Sequence, residues 1–376
     1  MTPRERLLAA LSGESTDHVP VWLLFPYHRT SYYVDVRNLP RYRRIHDLAM
    51  EKCVTLNRRN PGGIPLFTPD VVETSETRAD GSVWTTARCG GVAQTWRRGA
   101  KRLVEDEDLE ALLSFPIERD PAALRPSLET FAEKVRAERA EFPLDAGAMM
   151  LDIGEPIGFL YHAANLESFS VWSITHNDEI VAWLDRMLER FLDIYRYTLE
   201  QDLADVYFLV GSELAAPPMV SPATFERWVV PYAKALIDLV HSYGKKVIQH
   251  FHGQIRTILP GFREMGADAL HTIEAPPVGN CTFTQAYEAL GNGTTLIGNV
   301  QYDDFRAMDE SEMRQAVRDI LAECQGKRLI LSPTAGPYDP DPGDRYFANL
   351  AAFIDEAWRH GEWRVSTAAE SPCSHR

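Results

Sequence analysis

The sequence predicts one α/β protein, a single (β/α)8 TIM-like barrel with an added β-hairpin near residues 71–96. Three observations predict it. From residue 148 onward, short apolar runs alternate with helical stretches at the spacing of parallel βαβ units. No GxGxxG follows any of those runs, which counts against the open dinucleotide-binding sheet that the same alternation permits. The chain has 376 residues, and one barrel needs about 250, with insertions carrying it past ~400.

The elements follow in order. Thr2-Pro3-Arg4-Glu5 opens a helix: Thr2 caps, Pro3 suits the first helical position, and Glu5 completes a capping box. Leu7, Leu8 and Leu11 then share an apolar face, and Gly13 marks the stop. Residues 19–25 (VPVWLLF) form a short apolar run, as expected of a buried strand. Between 71 and 96, β-branched and aromatic residues flank Asp80-Gly81, the signature of a hairpin turn. Residues 103–142 read as charged helix broken at Pro116 and Pro121. Strands are then expected at 148–153, 205–210, 246–250, 269–273, 294–298 and 328–332. The helices between them include 180–202, 222–242, 309–324 and 345–359. The barrel is expected to span 1–363 and the Ser-, Ala- and Glu-rich tail 364–376 to be disordered.

Composition narrows the function classes. Asp and Glu (54) outnumber Lys and Arg (39), a net charge of −15, and no basic stripe suited to nucleic acid is present. The run Arg41-Tyr42-Arg43-Arg44 is short and reads as a solvated helix face. The five cysteines, Cys53, Cys89, Cys281, Cys324 and Cys373, are scattered and form no CxxC pair. That argues for a reducing compartment. With no signal peptide and no apolar run near the ~20 residues of a membrane span, the expected location is the cytoplasm.

In a barrel, chemistry gathers where strands end. His250 and His252 are two apart on one expected strand, so both imidazoles point the same way. The strand before ends in Glu213 and the strand after in Glu274. Two imidazoles flanked by two carboxylates make a candidate zinc set. The plainer alternative is that one histidine is only a hydrogen-bond donor behind the site and one glutamate binds substrate. His271 reads as a packed or surface histidine, and Cys281 as a buried loop thiol. The candidate substrate-binding residues are Tyr27 and Arg29 after the first strand, Glu155 and Tyr161 after the strand at 148–153, and Asn299 and Tyr338 at the last two strand ends. For Arg29 a surface ion pair is an equal alternative; for Glu155 and Tyr161 it is loop packing.

Several stretches resemble the uroporphyrinogen decarboxylase superfamily across about residues 1–360. They are Thr2 to Leu11 followed by Val19-Pro20-Val21-Trp22, then Ser221-Pro222 with Phe225 and Pro231, and His250-Phe251-His252-Gly253. Gly266-Ala267-Asp268, Glu274-Ala275-Pro276-Pro277 and Gly298-Asn299-Val300 complete the series. The resemblance implies a (β/α)8 barrel. True decarboxylases of that superfamily carry an arginine-rich loop after the first strand and an aspartate at the second. Here the loop Phe25 to Tyr33 holds one arginine, and Val54 to Arg59 lacks the aspartate.

The other branch, cobalamin-linked methyltransferases, holds zinc with a His-x-Cys pair and a distant cysteine. His250-Phe251-His252 falls on that pair with histidine in place of cysteine, and Ala335 stands where the distant cysteine would be. The resemblance therefore implies a zinc (or other divalent) site of Glu213, His250, His252 and Glu274, richer in oxygen and suited to oxygen or nitrogen donors. The expected function is metal-dependent methyl transfer or demethylation of a small methylated compound. No Asp-x-His-x-x-Gly motif is present, so a corrinoid would arrive on a partner protein. A decarboxylase or related lyase is the alternative, and a non-catalytic ligand-binding barrel is an alternative of another class. A homodimer stays open as an assembly.

Overall fold

The computed structural model describes residues 1–366. Among the described residues, ten strands form two sheets. The barrel strands are β1 (Thr55–Arg59), β5 (Gly147–Leu151), β6 (Val206–Leu209), β7 (Lys246–His250), β8 (Ala269–His271), β9 (Thr295–Val300) and β10 (Leu329–Pro333). They pair in parallel in the order β1-β5-β6-β7-β8-β9-β10.

The eighth position is filled by the expected first strand. Trp22 N donates to Leu331 O at 2.9 Å and Leu331 N to Pro20 O at 2.8 Å, on the β10 side. On the other side, Val54 N donates to Val21 O at 2.8 Å, just ahead of β1. The segment thus joins the two ends of the sheet, but through a single bridge, Val21 with Leu331. Pro20 offers no N–H to extend the ladder, and Leu24 turns out of extended backbone at φ +60°.

Alternation along these strands separates two apolar layers. Trp22, Leu24, Val54, Leu56, Ala148, Met150, Val206, Phe208, Ile248, Ala269, Ile297 and Ile330 form the barrel interior, at every second residue of each strand. Leu7 and Leu11 of the first helix, Pro3–Ser12, join this interior cluster. That helix closes the N-terminal end, with the predicted Thr2/Glu5 capping box and Gly13 in the left-handed region. The residues of opposite parity, such as Tyr207, Leu209, Val247 and Leu270, pack outward in the cluster shared with the helices.

The remaining strands, β2 (Val72–Thr77), β3 (Val83–Cys89) and β4 (Val92–Arg97), form an antiparallel sheet. The expected hairpin is therefore a three-stranded meander: Gly90, at φ +57°, permits a second reversal beyond the Asp80-Gly81 turn. The helix expected over 222–242 is two helices, Pro222–Trp228 and Val230–Ser242, broken where Pro231 removes a backbone donor.

The tail expected to be disordered falls mostly outside the described residues. Within them, Trp363 pairs with Thr16, and Val365 N and Ser366 N donate to Ser15 Oγ and Gly326 O. No helix among the described residues is long and apolar enough to cross a membrane.

Candidate active site

Two residues beyond the apolar interior layer, the inward positions turn polar. Leu56 is followed by Arg58, Met150 by Asp152, Ile248 by His250 and then His252, and Ala269 by His271. The C-terminal end of the barrel therefore carries charged and titratable groups on an otherwise apolar wall. They surround a cavity of about 240 Å³ lined by Arg58, Glu213, His250, His252 and His271 together with the rings of Tyr32, Tyr33, Phe208 and Tyr338.

On one side lie the histidines. His250 and His271 are register partners on β7 and β8. Their Nδ1 atoms are 2.6 Å apart and their rings stack at 4.8 Å. Burial depresses both pKa values, His250 well below the usual imidazole range and His271 to about 3. His250 Nε2 lies 3.5 Å from Glu213 Oε1. Burial raises the Glu213 pKa, so both partners shift toward their neutral forms and the contact is not an ion pair. The ring of His252 stands at right angles to that of His250, centroids 4.6 Å apart. Its Nδ1 lies 3.3 Å from Glu274 Oε1, while Glu274 Oε2 accepts from Gly253 N at 2.6 Å. For Glu274, burial acts upward, but the bonds from His252 and Gly253 outweigh it and lower the pKa.

Opposite the histidines, Arg58 bonds Asp152 and lies between the rings of Tyr32 (4.8 Å) and Phe208 (4.7 Å). Tyr33 meets Tyr338 at 5.2 Å between centroids. Val34 N donates to Pro337 O at 2.9 Å, tying the loop after residue 25 to the loop after β10. Burial lifts the Tyr32 pKa to about 12, so this wall presents a neutral phenol.

The sequence-predicted residues divide. Glu213, His250, His252 and Tyr338 line the cavity, and Glu274 stands behind His252. The other substrate candidates do not line it. Tyr27 packs on Phe142 beneath Arg37. Arg29 is exposed, and its carbonyl accepts from Arg59. Glu155 is buried against Gln249, with burial raising its pKa to about 7. Tyr161 stacks on His162. Asn299 sits on β9 beside Ser332. Cys281 is buried in its loop, its thiol bonding Thr282 O. Sequence reasoning missed Arg58, Asp152, Tyr32, Tyr33 and the His250–His271 contact. The signal for the first two was strand parity, carried one step past Leu56 and Met150.

The family model for uroporphyrinogen decarboxylase (URO-D) matches residues 100–358, well over half of the chain. The chain belongs to the URO-D family. Among solved structures, a methyltransferase from Methanosarcina mazei superposes with a TM-score of 0.60 at 19% identity, covering 95% of this chain and 99% of that one. At that identity the likeness is one of fold, and this URO-D member shares it over nearly its whole length. A B12-independent methionine synthase from Shewanella sp. W3-18-1 covers 61% of this chain and 67% of its own, at a TM-score of 0.38 and 10% identity. No curated protein sequence matches the chain.

Whether the site suits a metal is a matter of donor spacing. Among the described residues, no three His, Cys, Asp or Glu side chains converge as a ready ligand set. The predicted quartet is therefore not assembled: the structure pairs Glu213 with His250, and Glu274 with His252. The first pair does have ligand spacing. Two donors bound tetrahedrally at 2.0–2.1 Å are about 3.3–3.4 Å apart, close to the 3.5 Å observed.

Proposed function

We propose that this chain is a metal-dependent methyltransferase that removes a methyl group from a small oxygen- or nitrogen-linked compound, with a corrinoid on a separate protein as carrier. The observation that carries this is the Glu213–His250 pair: an imidazole nitrogen and a carboxylate oxygen at tetrahedral-edge distance, at the end of the barrel where chemistry is built. The M. mazei methyltransferase, similar in fold over 95% of this chain, supports the reaction class.

In this reading His250 and Glu213 would hold the ion, with His252, whose ring centroid lies 4.6 Å from that of His250, as the third ligand. Three protein ligands leave the fourth position for substrate, as catalytic zinc sites do. Glu274 then orients His252 by accepting from Nδ1, the usual carboxylate support of a ligating histidine. When bound, the ion supplies Lewis-acid polarisation of the atom that carries the methyl group. Tyr32, Tyr33, Phe208 and Tyr338 hold the rest of the substrate and exclude water. Decarboxylation is the second reading, favoured by Arg58 at the cavity wall; Asp152 already occupies that guanidinium.

The test is metal content together with methyl transfer. Protein purified without chelators and reloaded with zinc should hold one ion per chain and methylate a reduced corrinoid from a small methyl donor. Glu213→Gln and His252→Ala should lose both. Wild-type protein that stays metal-free after reloading, or a His252→Ala protein with a full complement of metal, removes the support for this reading.

A further inference from the structure

His271 reaches past His250 to a backbone acceptor. Its Nε2 lies 3.4 Å from the carbonyl oxygen of Pro333, which can only accept, so Nε2 carries the proton. The Nδ1–Nδ1 contact with His250 is 2.6 Å and has room for one proton. Were that proton on His271, the ring would be a buried imidazolium; its hydrogen-bond partners among the described residues are His250 and that carbonyl, with no carboxylate. An unpaired charge so placed is strongly disfavoured. The proton therefore belongs to His250 Nδ1, and His271 Nδ1 accepts.

We propose that His271 is a positioning residue that fixes the tautomer of His250, so that His250 Nε2 keeps its lone pair directed at Glu213. The chain of bonds runs from His250 Nδ1–H to His271 Nδ1, and from His271 Nε2–H to Pro333 O. It links β7, β8 and β10 beneath the cavity. Partners of this kind raise the basicity and fix the orientation of a ligating imidazole. The proposal rests on the metal reading only for its consequence in affinity, not for the tautomer itself.

A purely packing role is the competing account, since the His271 ring also meets Trp22 at 5.4 Å and Phe208 at 6.4 Å. Two variants separate the accounts. His271→Phe keeps a ring and removes both nitrogens. His271→Asn leaves a gap but returns an acceptor where Nδ1 stood. The readout is the ring-nitrogen resonances of metal-free, ¹⁵N-histidine-labelled protein at neutral pH, with His250 assigned by its loss in His250→Gln.

Wild-type His250 is expected as the Nδ1–H tautomer. That preference should vanish in His271→Phe and return in His271→Asn, even though the Asn protein is the less stable of the two. Zinc affinity should fall on the order of 10–100-fold in the Phe protein and recover in the Asn protein. A wild-type His250 carrying its proton on Nε2, or a Phe variant that keeps the Nδ1–H form, overturns the proposal. Should the Phe variant not fold, the wild-type and Asn spectra still decide. Wild-type protein that shows the Nδ1–H tautomer yet binds no zinc would sink the metal reading and uphold the positioning role.

Discussion

Arg58 Nε lies 2.9 Å from Asp152 Oδ2, and Nη2 of the same guanidinium bonds the same oxygen. The pair joins β1 to the end of β5 at the cavity wall, and Asp152 is only 4% exposed. A charge so placed depends on its partner. Arg58→Met is expected to destabilise the protein by about 3–5 kcal/mol, the usual consequence of leaving one member of a buried pair alone. The double variant Arg58→Met/Asp152→Leu should recover most of that loss. Urea denaturation of the three proteins measures it, and a single variant as stable as wild type would show that the pair does not secure this wall.

Gly336 sits under the ring of Tyr33. A Cβ built there would lie 2.3 Å from Tyr33 Cζ, so the ring occupies space that only glycine leaves open. Tyr33 is the end of a side chain and can yield. Gly336→Ala should therefore displace the ring from the cavity wall and change stability by less than about 1 kcal/mol, as for a substitution absorbed by one side chain. Its effect should fall on substrate affinity, seen as a raised KM. Unchanged KM together with a large loss of stability would place the role of Gly336 in folding instead.

Much of the fold was legible because strand and helix periods differ and caps are local: the Thr2/Glu5 box and the order of the barrel strands follow from short-range pattern. The meander's third strand was missed because Gly90-Gly91 gives a weaker turn signal than Asp80-Gly81. His250 and His252 could be placed on one face by parity alone. The pairing of His250 with His271 could not, because it depends on the register of β7 against β8, which neither strand encodes by itself. Tyr27 and Arg29 were chosen by nearness to the first strand end. The loop instead turns Tyr32 and Tyr33 inward by docking Val34 on Pro337, a contact with residues three hundred positions away.

Size bears on substrate class. A cavity of about 150 Å³ takes benzene, and the one here measures about 240 Å³. A small ring or an aliphatic compound fits within that volume. Asp152 also neutralises the guanidinium that a polycarboxylate would need. Incubation with uroporphyrinogen should therefore yield no coproporphyrinogen at an enzyme-like rate. Steady turnover in that assay would favour decarboxylation over the proposed methyl transfer.

At the opposite end of the barrel, two partly buried carboxylates, Asp268 and Asp205, are expected to contribute to the acid sensitivity of the fold. Asp268 accepts from His241 Nε2, Lys246 Nζ and Val247 N, each at 2.8 Å. Asp205 accepts from Arg4 at 2.8 Å. Burial alone would raise both pKa values, but these bonds outweigh it and hold both below the ordinary 3.8. A depressed folded-state pKa means the unfolded chain binds the proton more readily. The stabilisation is therefore complete above the unfolded value, about 3.9, and is lost as pH falls through the folded value. Asp268→Asn should accordingly be less stable than wild type at neutral pH by about 1.5–3 kcal/mol, the worth of hydrogen bonds to a charged group. The difference should shrink as the pH falls below about 4, where the unfolded wild-type chain takes up a proton at Asp268 before the folded protein does. Urea titrations at neutral pH and near pH 3 test this, and a gap of the same size at both would show that the carboxylate charge at Asp268 is not its source.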